Sequence, residues 1–188
     1  MSKPPFIVAV DTSGSMAEGG RIILLRHLCR YILQRRAWDA ALAAYEIRIV
    51  SWGREVKAVA PAEDGGVPLP APGGRCKSAA LTAWLQEGEK GMDAGCRLLI
   101  ITDDCDGEAR AVAEAARANG IPVVCVYVGA ESEGLASVAG SRCEYIAEHI
   151  GSAVRALLDG GGEYAGGLPG TVAELGETST GDDAEDEW

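Results

Sequence analysis

Short apolar runs alternate along this chain with longer stretches of helical period, and that alternation limits its fold more than any other feature. "FIVAV", "RLLIIT" and "PVVCVYV" are near-continuous apolar runs of strand length, the pattern of strands buried on both faces of a parallel sheet. "YEIRIVSW", "REVKAVA" and "CEYIA" add three more strand candidates. Between the runs, Ile22, Leu25, Leu28, Cys29, Ile32 and Leu33 follow helical spacing. "KSAALTAWLQEG", "GEARAVAEAARANG", "ESEGLASVAG" and "AEHIGSAVRALLDG" read as further helices, and Asn119-Gly120 supplies a stop signal for the second of these. Only the second and third strands lack a helix between them, and Gly53 in "SWGRE" suits a tight turn, so this pair reads as an antiparallel hairpin. The expectation is an α/β fold: a doubly wound, mostly parallel six-stranded sheet with one antiparallel edge strand and helices on both faces.

Charge divides the 188 residues into two parts. Residues 1–159 carry 17 basic and 20 acidic side chains, whereas residues 160–188 carry eight acids and no lysine or arginine. The first part reads as one domain, and the second as an acidic, Gly-rich disordered tail. A folded part so near neutrality lacks the basic surface of a nucleic-acid binder. No apolar run reaches the roughly eighteen residues that a membrane-spanning helix needs. "MSKPPFIVAV" has one lysine and a short apolar run, so it reads as a buried first strand, not a secretory signal. Cys29, Cys76, Cys96, Cys105, Cys125 and Cys143 form no CxxC pair. They read as reduced thiols of a cytoplasmic protein.

The chemistry gathers in "VAVDTSGSM". Asp11 ends the first strand, Ser13 and Ser15 follow at alternate positions, and Asp103 ends the fourth strand. Groups at the carboxyl ends of parallel strands share one edge of the sheet, beside the switch in strand order. Hydroxyls with two carboxylates form a hard oxygen set that suits Mg²⁺ or Mn²⁺. A plainer reading also stands: serine and aspartate are favoured caps of a strand-to-helix turn, and Asp103 and Asp104 could cap the "GEARAVAEAARA" helix.

"DTSGSM" together with "LLIITDD" resembles the von Willebrand factor A (VWA) domain of the compact, single-domain bacterial type. In that family a D-x-S-x-S motif, a threonine and a further aspartate form a metal-ion-dependent adhesion site. "VSWGREVKAVAP" is similar to the family's hairpin, "PGGRCKSAALTAWL" to its Gly-Gly loop and following helix, and "NGIPVVCVYVG" to its fifth strand. The resemblance implies Ser13 and Ser15 as direct ligands of a divalent cation, with Asp11 and Asp103 close by. It implies a binding module and not an enzyme: an adaptor that docks a partner's acidic side chain through the ion within a cytoplasmic assembly. Relatives of this type include chelatase subunits, tellurium-resistance proteins and partners of MoxR-type AAA+ ATPases.

One position departs from the family pattern. Arg75 stands where the threonine is expected, and a guanidinium offers donors only. It could swing outward, leaving water or the Ser78 hydroxyl to complete the shell, or turn inward and pair with Asp11 or Asp103 in place of the ion. The second course would make the chain a metal-free scaffold. Asp104 and Asp106 add acidity to the rim. A third reading is a haloacid-dehalogenase-like phosphatase with Asp11 as nucleophile and Asp103, Asp104 or Asp106 holding Mg²⁺. That family has a second aspartate where this chain has Ser13. Arg21, Arg26, Arg30, Arg35 and Arg36 read as a solvated helix face or an acidic-surface dock, His27 and His149 as ordinary helix residues, and Trp52 and Trp84 as core.

Overall fold

A computed structural model describes residues 3–87, 95–103, 107–129 and 144–160 of the chain. The strands are β1 (Pro5–Asp11), β2 (Glu46–Trp52), β3 (Val56–Val59), β4 (Arg97–Thr102), β5 (Val123–Tyr127) and β6 (Glu144–Ile146). The helices are α1 (Arg21–Arg35), the single turn α2 (Ala40–Ala43), α3 (Ser78–Glu87), α4 (Glu108–Ala118) and α5 (Ile150–Leu158). The strands form one sheet in the order β3-β2-β1-β4-β5-β6. Among the described strands, only the β2–β3 pair is antiparallel. The expected α/β architecture is therefore the observed one. The helix expected over "ESEGLASVAG", the residues Asp104, Cys105, Asp106 and Cys143, and the acidic tail lie outside the described residues.

β1 is the centre of the sheet, and all seven of its residues are buried. Side chains alternate across a strand, so β1 feeds two cores. Phe6, Val8 and Val10 face Leu25, Leu28, Cys29 and Ile32 of α1 and Ala153, Val154 and Leu157 of α5. Ile7 and Ala9 face Leu81 and Leu85 of α3 and Ala109, Val112 and Ala116 of α4. The register sets Ala9 opposite Ile100 and Val10 opposite Ile101. Continued by one step, the same alternation puts Asp11 and Thr102 on the α3–α4 face, at the carboxyl edge.

The first helix is not a uniformly solvated row of arginines. Arg35 is buried, donates from Nε to Asp39 Oδ2 at 2.8 Å and reaches the Gly151 carbonyl at 2.7 Å. It thereby ties α1 to α2 and α5. Arg21 is the second exception and belongs to the site. The reason is position: both stand at a helix end that faces another part of the chain, while Arg26, Arg30 and Arg36 are exposed. Trp52 is fully buried and Trp84 packs against the α3–α4 core, as expected. Cys29, Cys76, Cys96 and Cys125 are all buried free thiols.

Candidate functional site

Three segments meet at the carboxyl edge of the sheet. The loop after β1 is pinned by Thr12 N donating to the Trp52 carbonyl at 2.8 Å, and by Gly14 N donating to the Gly74 carbonyl at 2.9 Å. In return Gly73 N donates to the Thr12 carbonyl at 2.9 Å. The Gly-Gly loop thus lies directly against the "DTSGS" turn, and Trp52 Nε1 anchors its far side on the Lys77 carbonyl at 2.9 Å. Asp11, Ser13, Ser15, Arg75, Cys76, Thr102, Asp103 and Glu108 line one cavity of about 280 Å³. The four residues marked by the sequence motif are therefore brought together.

Asp11 is almost fully buried, and its carboxylate is held by three donors. Ser13 N donates to Oδ1 at 2.7 Å, Cys76 Sγ to Oδ1 at 2.9 Å, and Thr102 Oγ1 to Oδ2 at 2.5 Å. Such an anion needs several partners, because burial strips it of water. Ser13 has an extended backbone and its side chain makes no cap hydrogen bond to the 3₁₀ turn that follows. Its Oγ instead lies 3.0 Å from Ser15 Oγ. The capping account of Ser13 does not describe this geometry. Nor does Asp103 occupy the N-cap of α4: that position is Gly107, in the left-handed region at φ 71°.

Asp103, 4% exposed at its side chain, accepts from Arg21 Nη1 at 2.9 Å. The same nitrogen donates to the Ser15 carbonyl at 3.2 Å. Arg21 is the first residue of α1, and room for its guanidinium comes from Gly129 after β5. A Cβ on Gly129 would lie 2.7 Å from Arg21 Nε, and φ there is 71°. So an arginine does reach an aspartate of the site, but it is Arg21, not Arg75. Arg75 is exposed at the cavity wall and makes no ion pair among the described residues. Cys76, one position further on, points at Asp11 in its stead. Ser78 is not in the lining; its amide and hydroxyl engage Glu108, hold that carboxylate below its ordinary value, and tie α3 to α4. Burial, and then the Asp11 charge, push the Cys76 thiol well above its ordinary value, so it stays protonated and donates.

Sequence reading missed Thr102, Cys76 and Arg21. Thr102 was readable from the alternation that puts it beside Asp11. Cys76 is one residue from the position singled out, and Arg21 carries no local signal.

The donor set fits a hard divalent cation. Adjacent ligands of an octahedral ion bound at about 2.0–2.1 Å are about 2.9–3.0 Å apart, and the two serine hydroxyls have that separation. Among the described residues no group of three His, Cys, Asp or Glu side chains is placed to hold a metal ion.

The sheet order, the edge hairpin and the carboxyl-edge cavity define a mostly parallel α/β fold that fits the VWA-like expectation. Solved structures share that α/β fold. The chain is similar to BatB from Bacteroides thetaiotaomicron, described as a conserved hypothetical protein, with TM-score 0.51, 19% identity and coverage of 67% of both chains. It is also similar to proximal thread matrix protein 1 of the mussel byssus, with TM-score 0.53, 14% identity, and coverage of 84% of this chain and 48% of that one. The pilus adhesin SpaC from Lactobacillus rhamnosus GG, in its open conformation, gives TM-score 0.57 at 10% identity over 85% of this chain and 30% of that one. The chain thus spans about half the length of the mussel protein and less than a third of the adhesin. No protein-family model and no curated protein matches the sequence.

Proposed function

We propose that this chain is a non-catalytic protein-interaction module that docks an acidic side chain of a partner through Mg²⁺ or Mn²⁺ at the cavity edge. Ser13 and Ser15 would ligate the ion through their hydroxyls, with Asp11 and Asp103 beside it, directly or through water. The ion supplies the positive charge to which a partner carboxylate binds. The chain's own residues do the rest. Thr102 and Cys76 fix the Asp11 carboxylate, the Gly-Gly loop fixes the turn, and the pinned turn holds the two hydroxyls at a usable spacing. The resemblance to bacterial single-domain adaptors extends this reading to a cytoplasmic assembly, with a MoxR-type AAA+ ATPase as a partner class.

The observation that carries the proposal is the Ser13–Ser15 hydroxyl pair, hydrogen-bonded to each other at 3.0 Å, with Ser13 making no cap hydrogen bond. Calorimetric titration of Mn²⁺ and Mg²⁺ into chelator-treated protein tests it. Saturable binding that is lost in Ser13→Ala is the expected result; heats that are linear, or equal in both chains, overturn it. A metal-free docking scaffold is the second reading, and the Arg21–Asp103 ion pair is what favours it. The phosphatase reading has no such support, because Ser13 stands where the acid–base aspartate would be.

A further inference from the structure

Asp103 has a nearly buried side chain, and a carboxylate so enclosed needs a counter-charge. Arg21 provides it at 2.9 Å and is braced by the Ser15 carbonyl, between two residues that the cation reading assigns to the ion. The placement is built into the fold. The guanidinium packs against Gly129, where an added Cβ would lie 2.7 Å from Arg21 Nε, and it stands on the first residue of α1, directly after the turn that carries Ser13 and Ser15.

A divalent ion at the hydroxyl pair would approach the same carboxylate and meet a positive charge there. Like charges at that range repel, and Asp103 Oδ2 cannot serve both equally. We infer that Arg21 is a competing resident cation: it holds Asp103 in the ion-free state and must yield that carboxylate when the site loads. This inference rests on the cation reading above. The affinity for the ion is then the intrinsic affinity reduced by the fraction of molecules in which Arg21 has let go. Arg21 sits at 24% exposure, close enough to water to swing out without unfolding the helix.

The test is Mn²⁺ calorimetry on the full chain and on Arg21→Gln, with the wild-type Arg21 Nε–Hε NMR signal followed during a Mg²⁺ titration. If the paired state holds nine molecules in ten, the glutamine variant binds Mn²⁺ about tenfold more tightly. The arginine signal moves with the same midpoint as the wild-type binding isotherm. Equal or weaker Mn²⁺ binding by Arg21→Gln, or an arginine signal indifferent to saturating Mg²⁺, overturns this inference and leaves the cation reading standing. Absence of binding in both chains overturns the two together. The wild-type NMR readout decides the matter even where the variant is unstable.

Discussion

At the scale of single residues, the carboxyl edge depends on how Asp11 is satisfied. Its Oδ2 accepts a 2.5 Å hydrogen bond from Thr102, a residue 1% exposed. Thr102→Val keeps the shape and removes the donor, leaving a buried charged oxygen short of a partner. Urea unfolding should register a loss of about 1–3 kcal/mol; a loss below ~0.5 kcal/mol, the size of an ordinary surface change, would show that Asp11 does not need this donor. The thiols give an independent check. Burial raises Cys29 to about 12, and burial with the Asp11 charge raises Cys76 further. A thiolate is the reactive form, so iodoacetamide at neutral pH should leave Cys29 and Cys76 unmodified in the folded chain and label both in urea. Peptide mass mapping reads the outcome, and native labelling of Cys76 would mean that the cavity opens far more than its geometry shows.

Among the elements, the junction of α1, α2 and α5 turns on Asp39. Its Oδ1 accepts from the amides of Ala41 and Leu42 at 3.1 and 3.2 Å, and its Oδ2 from Arg35 at 2.8 Å. Burial works against the charge, but Arg35 and the two amides outweigh it and hold Asp39 below its ordinary value. A carboxylate depressed in the folded state stabilises fully above its unfolded value, near 4, and that contribution disappears as pH falls further. Asp39→Asn keeps a capping side chain and loses the charge opposite Arg35. At pH 7 the variant should be less stable by about 1.5–3 kcal/mol, and the gap should close as pH drops below about 4; a gap independent of pH would assign the loss to something other than ionisation. The same junction shows what a sequence can reveal. β1, β4 and β5 were legible because buried strands are apolar without interruption, and Asp11, Ser13 and Ser15 because their spacing interrupts such a run. Arg35–Asp39 lies within one helical turn and could have been read from its i,i+4 spacing. Arg21–Asp103 could not: the partners are 82 residues apart, and the guanidinium packs against Gly129, from yet another strand end. Cys76 and Arg75 compete for one place by a single residue of loop register, which spacing alone does not resolve.

For the whole molecule, the division of charge has a consequence that the core makes testable. Among the described residues, the two apolar clusters lie between Phe6 and Leu158. Residues 161–188 are acidic and Gly-rich in sequence, a composition that buries little apolar surface, so a chain ending at Gly160 should keep its urea m-value, which scales with the surface exposed on unfolding. A lower m-value would mean that residues beyond 160 bury surface on the domain. Electrostatics should change even where stability does not. The eight acids removed take the net charge from −11 to −3, and a strongly negative molecule draws cations toward itself over a range set by salt. At low ionic strength, where the screening length is about 30 Å, the truncated chain should bind Mn²⁺ more weakly than the full one; near 0.15 M salt, where it is about 8 Å, the difference should vanish. A difference that survives at high salt would instead place tail carboxylates in contact with the ion. On the proposed cation reading, a tail that acts only through its field would make the cavity a better cation trap in dilute salt without supplying a ligand, and the intrinsic affinity would stay with Asp11, Ser13, Ser15 and the contest over Asp103.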